Sequence, residues 1–257
     1  MSKTEKIFVE IDEIIKAIDL CRIEPLFSEE KNRRQNKIVS VIPNDNEILK
    51  TLSHLIAYSQ NSNSEIVEQV LKSGKFDNAF KGFNIDEVVQ LNPCDIADEH
   101  WNAIKGIRQQ AKLFHIISLS RKIKKIGSFS DILNHTNIPE KIKSEKDIEK
   151  FWIGFDQLLV TLKDNKIPFF QSTTSLLHFL LEIGYDCVKP DLVVMKVAKK
   201  LNIVENETGD KNFRETVRFI QEYSIDRKIK PSVVDFYFLI NGGQMGAKKY
   251  VTAEFYK

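Results

Sequence analysis

"FLLEIGYDCVKPDLVVMKVAKKLNIV", Phe179 to Val204, is the stretch on which the fold turns. It divides into an apolar helix, a glycine stop at Gly184, a short loop with a carboxylate, and a second helix. The carboxylate, Asp191, follows Pro190 and opens the apolar run at Leu192. Two roles suit an aspartate there. It can cap the free N–H groups of the helix it precedes, or act as a catalytic acid at the helix mouth.

Upstream lies "KIPFFQSTTSLLHFLLEIG". Leu176, Leu177, Phe179, Leu180 and Ile183 form one apolar stripe at helical spacing. Thr173, Thr174 or Ser175 is placed to cap that helix. A tight connection begins at Pro168, so two helices are expected to meet in a hairpin. Backbone amides at such a helix start suit a phosphate group. An ordinary capped turn has the same signature.

Helical periodicity extends almost throughout. "FVEIDEIIKAIDL" places Phe8, Ile11, Ile14, Ile15 and Ile18 on one stripe. "SEIVEQVLKSG" has Ser64 as a cap candidate and Gly74 as a stop. "KGIRQQAKLFHIISLSRKIKK" is expected as one long helix ending at Gly127. "KNRRQNKIVSVIPND" has room for a short extended piece before Pro43. Gly242, Gly243 and Gly246 point to a loop and a loose or strand-like tail. Alternation of period two is scarce. The fold class is therefore all-α, with about ten to twelve helices of ordinary length.

Composition narrows the class. Hydrophobic residues make up 42% and charged residues 29%, as in a globular protein. No apolar run approaches the ~20 residues of a membrane span. The N-terminus reads as no secretory signal. Three scattered cysteines, Cys21, Cys94 and Cys187, give neither a disulfide frame nor a thiolate metal site. A reducing, cytoplasmic setting is expected, with no metal, no cofactor and no membrane.

Net charge is +2, but it is unevenly spread. Residues 1–30 carry eight acids and four bases, whereas 105–125 carry seven bases and no acid. One basic face suits an anionic partner, and a solvated helix face has the same look. His54, His115 and His178 lie in apolar helices without shared metal spacing.

Taken in order, these pieces resemble the helix-hairpin-helix superfamily of base-excision DNA glycosylases. "IPFFQSTTS" is similar to that family's Leu-Pro-Gly hairpin start. "KPDLVVMKVAKKLNIV" is similar to its "VDxHVxRVxxRLG" segment, with Asp191 at the catalytic aspartate. Thr173 stands eighteen residues before Asp191, where some members carry a catalytic lysine. "LIAYSQNSNSEIVEQVL" resembles the family's Ser-Gln helix end, at Ser59-Gln60. "FDNAFKGFNIDEVVQL", "IRQQAKLFHII", "GSFSDIL" and "FWIGFDQLL" resemble 3-methyladenine DNA glycosylase I more narrowly. The likeness spans roughly residues 46–205.

It implies two helical lobes, residues 46–160 and residues 1–45 with 161–257, and a degenerate hairpin. It implies a monomer hydrolysing the N-glycosidic bond of a damaged base in double-stranded DNA, with Asp191 stabilising the sugar cation. Tyr58 and Gln60 then belong to the base pocket, with Trp101 and Trp152 as flat surfaces for it. Helical spacing equally suits both tryptophans to the core. Lys166, Gln171, Ser172, Thr173, Thr174 and Lys189 would meet the DNA backbone. Arg121 and Lys122, with Lys124 and Lys125, would add nonspecific phosphate affinity. Thr173 at the lysine position implies no lyase step.

The departures are specific. Phe169 and Gln171 stand where the hairpin has glycines, and Ile56 and Ala57 where 3-methyladenine DNA glycosylase I has its base-reading glutamate. That relative's N-terminal tryptophan and zinc-binding pattern are absent, and Asp191 is present where it has no such aspartate. The competing reading is a catalytically silent DNA-binding protein of the same fold. A helical interaction protein without nucleic acid is the third.

Overall fold

Helices form wherever the apolar spacing asks for them in the computed structural model, which describes residues 1–39, 43–60 and 62–257. In chain order they are α1 (Lys3–Cys21), α2 (Leu26–Asn36), α3 (Asp45–Tyr58), α4 (Ser64–Lys72), α5 (Lys75–Ala79), α6 (Ile85–Val88) and α7 (Pro93–Ile104). There follow α8 (Ala111–Ile126), α9 (Phe129–His135), α10 (Glu145–Asp164), α11 (Thr173–Ile183), α12 (Leu192–Lys200), α13 (Asp210–Arg227) and α14 (Pro231–Asn241). The fold class is all-α, with no strand among the described residues. The only β pairing there is a single bridge between Arg22 and Val251. Among the described residues fourteen α-helices exceed the ten to twelve expected, and α5, α6 and α9 are the shortest of them.

The chain divides into two compact units. One comprises Met1–Val39, Pro139–Phe151 and Thr173–Lys257; the other comprises Ser40–Ile138 and Trp152–Ser172.

In the first unit α14 is the central helix. Its sequence is apolar almost all round, and Val233, Val234, Phe236, Tyr237, Phe238 and Ile240 are buried, as expected of a helix covered on every side. Ile18 of α1, Phe27 of α2 and Val251 of the tail pack on it. Truncating a ring such as Phe236 to alanine should cost about 3–5 kcal/mol. The buried Tyr237 hydroxyl is satisfied from both sides. It accepts from Lys31 at 2.8 Å and donates to Asp19 at 2.8 Å. The tail is not loose. It forms 3₁₀ turns at Met245–Tyr250 and Ala253–Tyr256, tied back by Ile23 N–H to the Tyr250 carbonyl.

In the second unit α3 and α8 pack together over Ile48, Leu52, Ile56, Leu113 and Ile116. Phe76, Phe80 and Phe83 form an aromatic cluster beside His54, whose Nε2 lies 3.0 Å from Asp77. Gly154 of α10 is there for close approach, since a Cβ would meet the Thr136 carbonyl oxygen at 2.5 Å. His54 and His115 take up ring packing, His115 edge-on to Phe169.

Several local expectations are corrected. Asn63, not Ser64, caps α4: the helix already starts at Ser64, and the Asn63 amide oxygen accepts from the Glu65 and Ile66 N–H groups. The basic segment is not one helix. A 3₁₀ turn at Lys105–Ile107 ends at Arg108 with φ +77°, and α8 restarts at Ala111. Gly127 does close it, with φ +95°. α11 begins at Thr173, so its cap position is residue 172 rather than one of residues 173–175. The extended piece expected before Pro43 falls on Ser40, Val41 and Ile42, outside the described residues; α2 takes the start of that stretch, to Asn36.

Candidate functional site

Asp191 opens α12. Pro190 and the extended backbone of Asp191 (φ −84°, ψ 176°) set the helix start. Its Oδ1 accepts from Val193 N–H at 3.0 Å and Val194 N–H at 3.1 Å. The cap role is therefore realised. Oδ2 is left over, 3.9 Å from the Lys189 ammonium. Of the two roles read from the sequence, the cap engages one oxygen, and the other stands near Lys189.

Asp191 lines a cavity of about 210 Å³ within the first unit. That is below the ~300–1,000 Å³ of drug-sized ligand sites, on the scale of a single base or sugar. α2 contributes Arg33 and Arg34, and Lys37 follows at its C-terminal end; α11 contributes His178 and Glu182; α14 contributes Ser232 and Asp235. Gly184 makes the adjoining turn with φ +107°. A Cβ on it would stand 2.7 Å from the Ile38 carbonyl carbon, so the close approach of these two segments requires glycine.

The charges in this cavity are arranged in pairs. Arg34 Nη1 lies 2.7 Å from Asp235 Oδ2 and donates to the Ser232 carbonyl; its Nε reaches Glu30 at 2.6 Å. Lys37 holds Glu182 at 2.6 Å. Burial pushes the Asp235 carboxyl upward against Arg34, and the Asp191 charge adds to the rise. Asp235 Oδ1 is buried and accepts no hydrogen bond from the described residues. His178 is pushed down to about 3, first by burial and then by the Lys189 charge, so it is a neutral imidazole at pH 7. Burial works to raise Glu182, but Lys37 outweighs it and the group stays below its usual range. The result is a site with cations from five positions, a neutral histidine, and a carboxylate at a helix mouth. Such a site can stabilise positive charge at Asp191 and hold anionic groups around it.

Of the residues expected from the sequence, Asp191 and Lys189 are brought together here. Lys166, Gln171 and Ser172 are exposed in the connection between α10 and α11. Gln171 is partly engaged, since its amide donates to the Ile167 carbonyl at 2.7 Å. Phe169 and Lys166 both have positive φ, +69° and +53°. The backbone at Phe169 is therefore of the kind that favours glycine, although a phenylalanine occupies it. Thr174 is half-buried.

Two expected contacts are corrected. Thr173 is buried and its hydroxyl donates to Asp210, so it faces the protein rather than a DNA backbone. Trp152 is 2% exposed and packs edge-on to Phe155; it is core, as large aromatics at helical spacing usually are. Trp101 is half-buried on α7 in the second unit.

Tyr58 and Gln60 are exposed at the end of α3, and Gln60 has φ +57°. What holds that end is Lys112, which is fully buried. Its ammonium donates to the carbonyls of Ala57, Ser59 and Ile107 and to the Ser62 hydroxyl, all at 2.8–2.9 Å. Burial and the Arg108 charge push it down to about 8, which still leaves it charged at neutral pH. Arg121 donates to the Val89 and Leu91 carbonyls at 3.1 and 3.0 Å, and Lys124 pairs with Asp86. Much of the basic segment is thus engaged within the second unit. Lys122 and Lys125 border a groove beside Phe114.

The sequence reading missed Arg33, Arg34, Lys37 and Asp235. Asp235 had a signal: it is the single charge in the otherwise apolar α14. A lone acid in a helix buried all round needs a partner, and Arg34 is that partner. Among the described residues, no group of three or more His, Cys, Asp or Glu side chains is placed to hold a metal ion, and no helix is long and apolar enough to cross a membrane. No family model, no curated protein and no solved structure matches the chain.

Proposed function

We propose that the protein is a monofunctional DNA glycosylase, hydrolysing the N-glycosidic bond of a damaged or modified base in double-stranded DNA, with Asp191 as the charged residue of the reaction. The observation that carries this reading is the placement of the Asp191 carboxylate. Oδ1 is fixed by two helix N–H groups, and the residue lines a small cavity rich in cations.

In this reading a nucleotide leaves the stack and enters the site. As the base departs, positive charge grows on the sugar. A carboxylate held rigidly by the α12 N–H groups needs little reorganisation to stabilise that charge. The same group orients the attacking water. Arg33, Lys37 and Lys189 offer charge to the flanking phosphates. No amine stands at the Thr173 position, and its hydroxyl is turned to Asp210, which supports a hydrolytic step without strand cleavage.

A second reading has an observation of its own. Asp191 already has a structural task as the cap of α12, with Lys189 as a nearby counter-charge, as a purely structural aspartate would. A silent DNA-binding protein fits that arrangement. The deciding experiment is base release from duplexes carrying alkylated, deaminated or oxidised bases, followed by alkali treatment to reveal abasic sites. Released base with strands left intact before alkali supports the glycosylase. Salt-sensitive duplex binding without release across the panel supports the silent binder, and no duplex binding contradicts both.

A further inference from the structure

The Asp191 cavity is uneven in charge, and the unevenness selects among bases. Its lining holds five cations and three carboxylates. Arg34 and Lys37 each face a carboxylate of their own there, Asp235 and Glu182, and Arg33 is held by Glu30. Lys230 gives its ammonium to the Lys37 carbonyl. Lys189 is different. Its side chain is part-exposed, its ammonium donates no hydrogen bond to the described residues, and its pairing with Asp191 is loose, at 3.9 Å.

His178 is the second unengaged group. It is part-buried, it lines the same cavity, and its ring makes no hydrogen bond to the described residues. Its nitrogens are not sealed from solvent as Asp235 Oδ1 is. Burial first, and then the Lys189 charge, keep the ring neutral. A neutral imidazole donates from one nitrogen, and such a donor supports an atom on which negative charge is forming. Aromatic faces are scarce. Among the described residues Tyr185 is the only Phe, Tyr or Trp of the lining, and it is 2% exposed. A positively charged, N-alkylated base gains from open aromatic faces. Here it would meet an excess of positive charge instead.

We propose that the base taken by this site is uncharged and carries ring carbonyls, as deamination or oxidation leaves it, and that it departs as an anion stabilised by Lys189 and His178. The proposal rests on base excision at Asp191 and names its substrate class. The C1′–N bond breaks with its electron pair on the base, and the sugar is left cationic beside Asp191. Water adds its oxygen to C1′, keeps one hydrogen as the new hydroxyl and gives the other to solvent. The base anion takes up a proton from solvent in turn. Asp191 thus serves the positive end of the separating charge, and Lys189 and His178 serve the negative end.

The test is single-turnover base release by the full chain, at saturating protein, from duplexes carrying uracil, hypoxanthine or 8-oxoguanine and from duplexes carrying 7-methylguanine or 3-methyladenine. Each rate is taken above spontaneous loss. Lys189→Gln and His178→Leu are run beside the wild type, with urea unfolding of each. The expected result is release of at least one carbonyl base at least tenfold faster than either methylated base. That preference should fall at least tenfold in Lys189→Gln, whose side chain is part-exposed, and in His178→Leu. A variant that is merely less folded slows both classes alike, so the preference reads the leaving base and not the fold. Methylated bases released as fast as the carbonyl bases, or faster, overturn the proposal and leave the Asp191 reading standing. So does a preference that neither substitution moves while both variants unfold cooperatively. No release from any of the duplexes overturns both.

Discussion

Arg34 and Asp235 meet at 2.7 Å in the first unit, with the aspartate almost wholly buried and the guanidinium 5.2 Å from the Phe236 ring centre. Breaking such a pair from one side leaves the other charge stranded. Asp235→Ala should therefore lower stability by about 3–5 kcal/mol. Arg34→Met paired with Asp235→Leu should recover most of that loss, since an apolar pair of similar volume avoids both desolvation costs. Urea unfolding of the two variants beside the wild type checks it; a double variant no better than the single would contradict the assignment.

Phe169 has φ +69°, in the left-handed region that favours glycine. Its ring rests edge-on against His115, centroids 4.9 Å apart. Phe169→Ala and Phe169→Gly both lose the ring, so their difference reports the backbone alone. The glycine variant should be the more stable by about 1 kcal/mol. Equal stabilities would show that the backbone there carries no strain.

His178 ties stability to pH. An unfolded histidine takes up a proton near 6.5, whereas burial and the Lys189 charge hold the folded group to about 3, with Lys37 and Arg34 acting in the same sense and Glu182 against them. Between those values the unfolded chain binds a proton that the folded chain refuses. Stability is then fully present above about pH 6.5 and lost as pH falls, by about 1.4 kcal/mol per unit for one group. His178→Asn should remove about 2 kcal/mol of the loss between pH 7 and pH 5. Parallel curves for the two proteins would exclude His178 as the source.

The helical class was legible because apolar spacing at 3.6 residues is a local property, carried by stripes such as Leu176, Leu177, Leu180 and Ile183. Caps were nearly as legible. Asp191 sits where its sequence neighbours put it, and the neighbouring Asn63 and Ser64 differ only in which reaches two N–H groups. The cavity around Asp191 was not legible. It joins α2, α11 and α14, so Arg34 and Asp235 are partners across some two hundred residues of chain. Thr173 was misassigned for the same reason: its partner Asp210 lies thirty-seven residues on, and nothing local announces it. Lys112 looked like one more base in a basic segment, yet it is a buried anchor satisfied by backbone carbonyls that carry no sequence signal.

The cap and the proposed chemistry at Asp191 can be separated by substitution. Asparagine caps a helix about as well as aspartate, so Asp191→Asn should unfold within about 0.5 kcal/mol of the wild type, whereas Asp191→Ala should lose about 1 kcal/mol. Unfolding in urea measures both. A large loss in the asparagine variant would mean that the charge itself holds the loop.

The most direct test of the account follows from that separation. Single-turnover base release is measured for the wild type and for Asp191→Asn, on the duplex from which the wild type releases base, with duplex affinity measured alongside. A catalytic carboxylate predicts a fall of roughly 10²–10³-fold in rate for the asparagine variant, with affinity and stability retained. Release at the wild-type rate by Asp191→Asn would contradict the central claim and leave Asp191 as the cap of α12 alone.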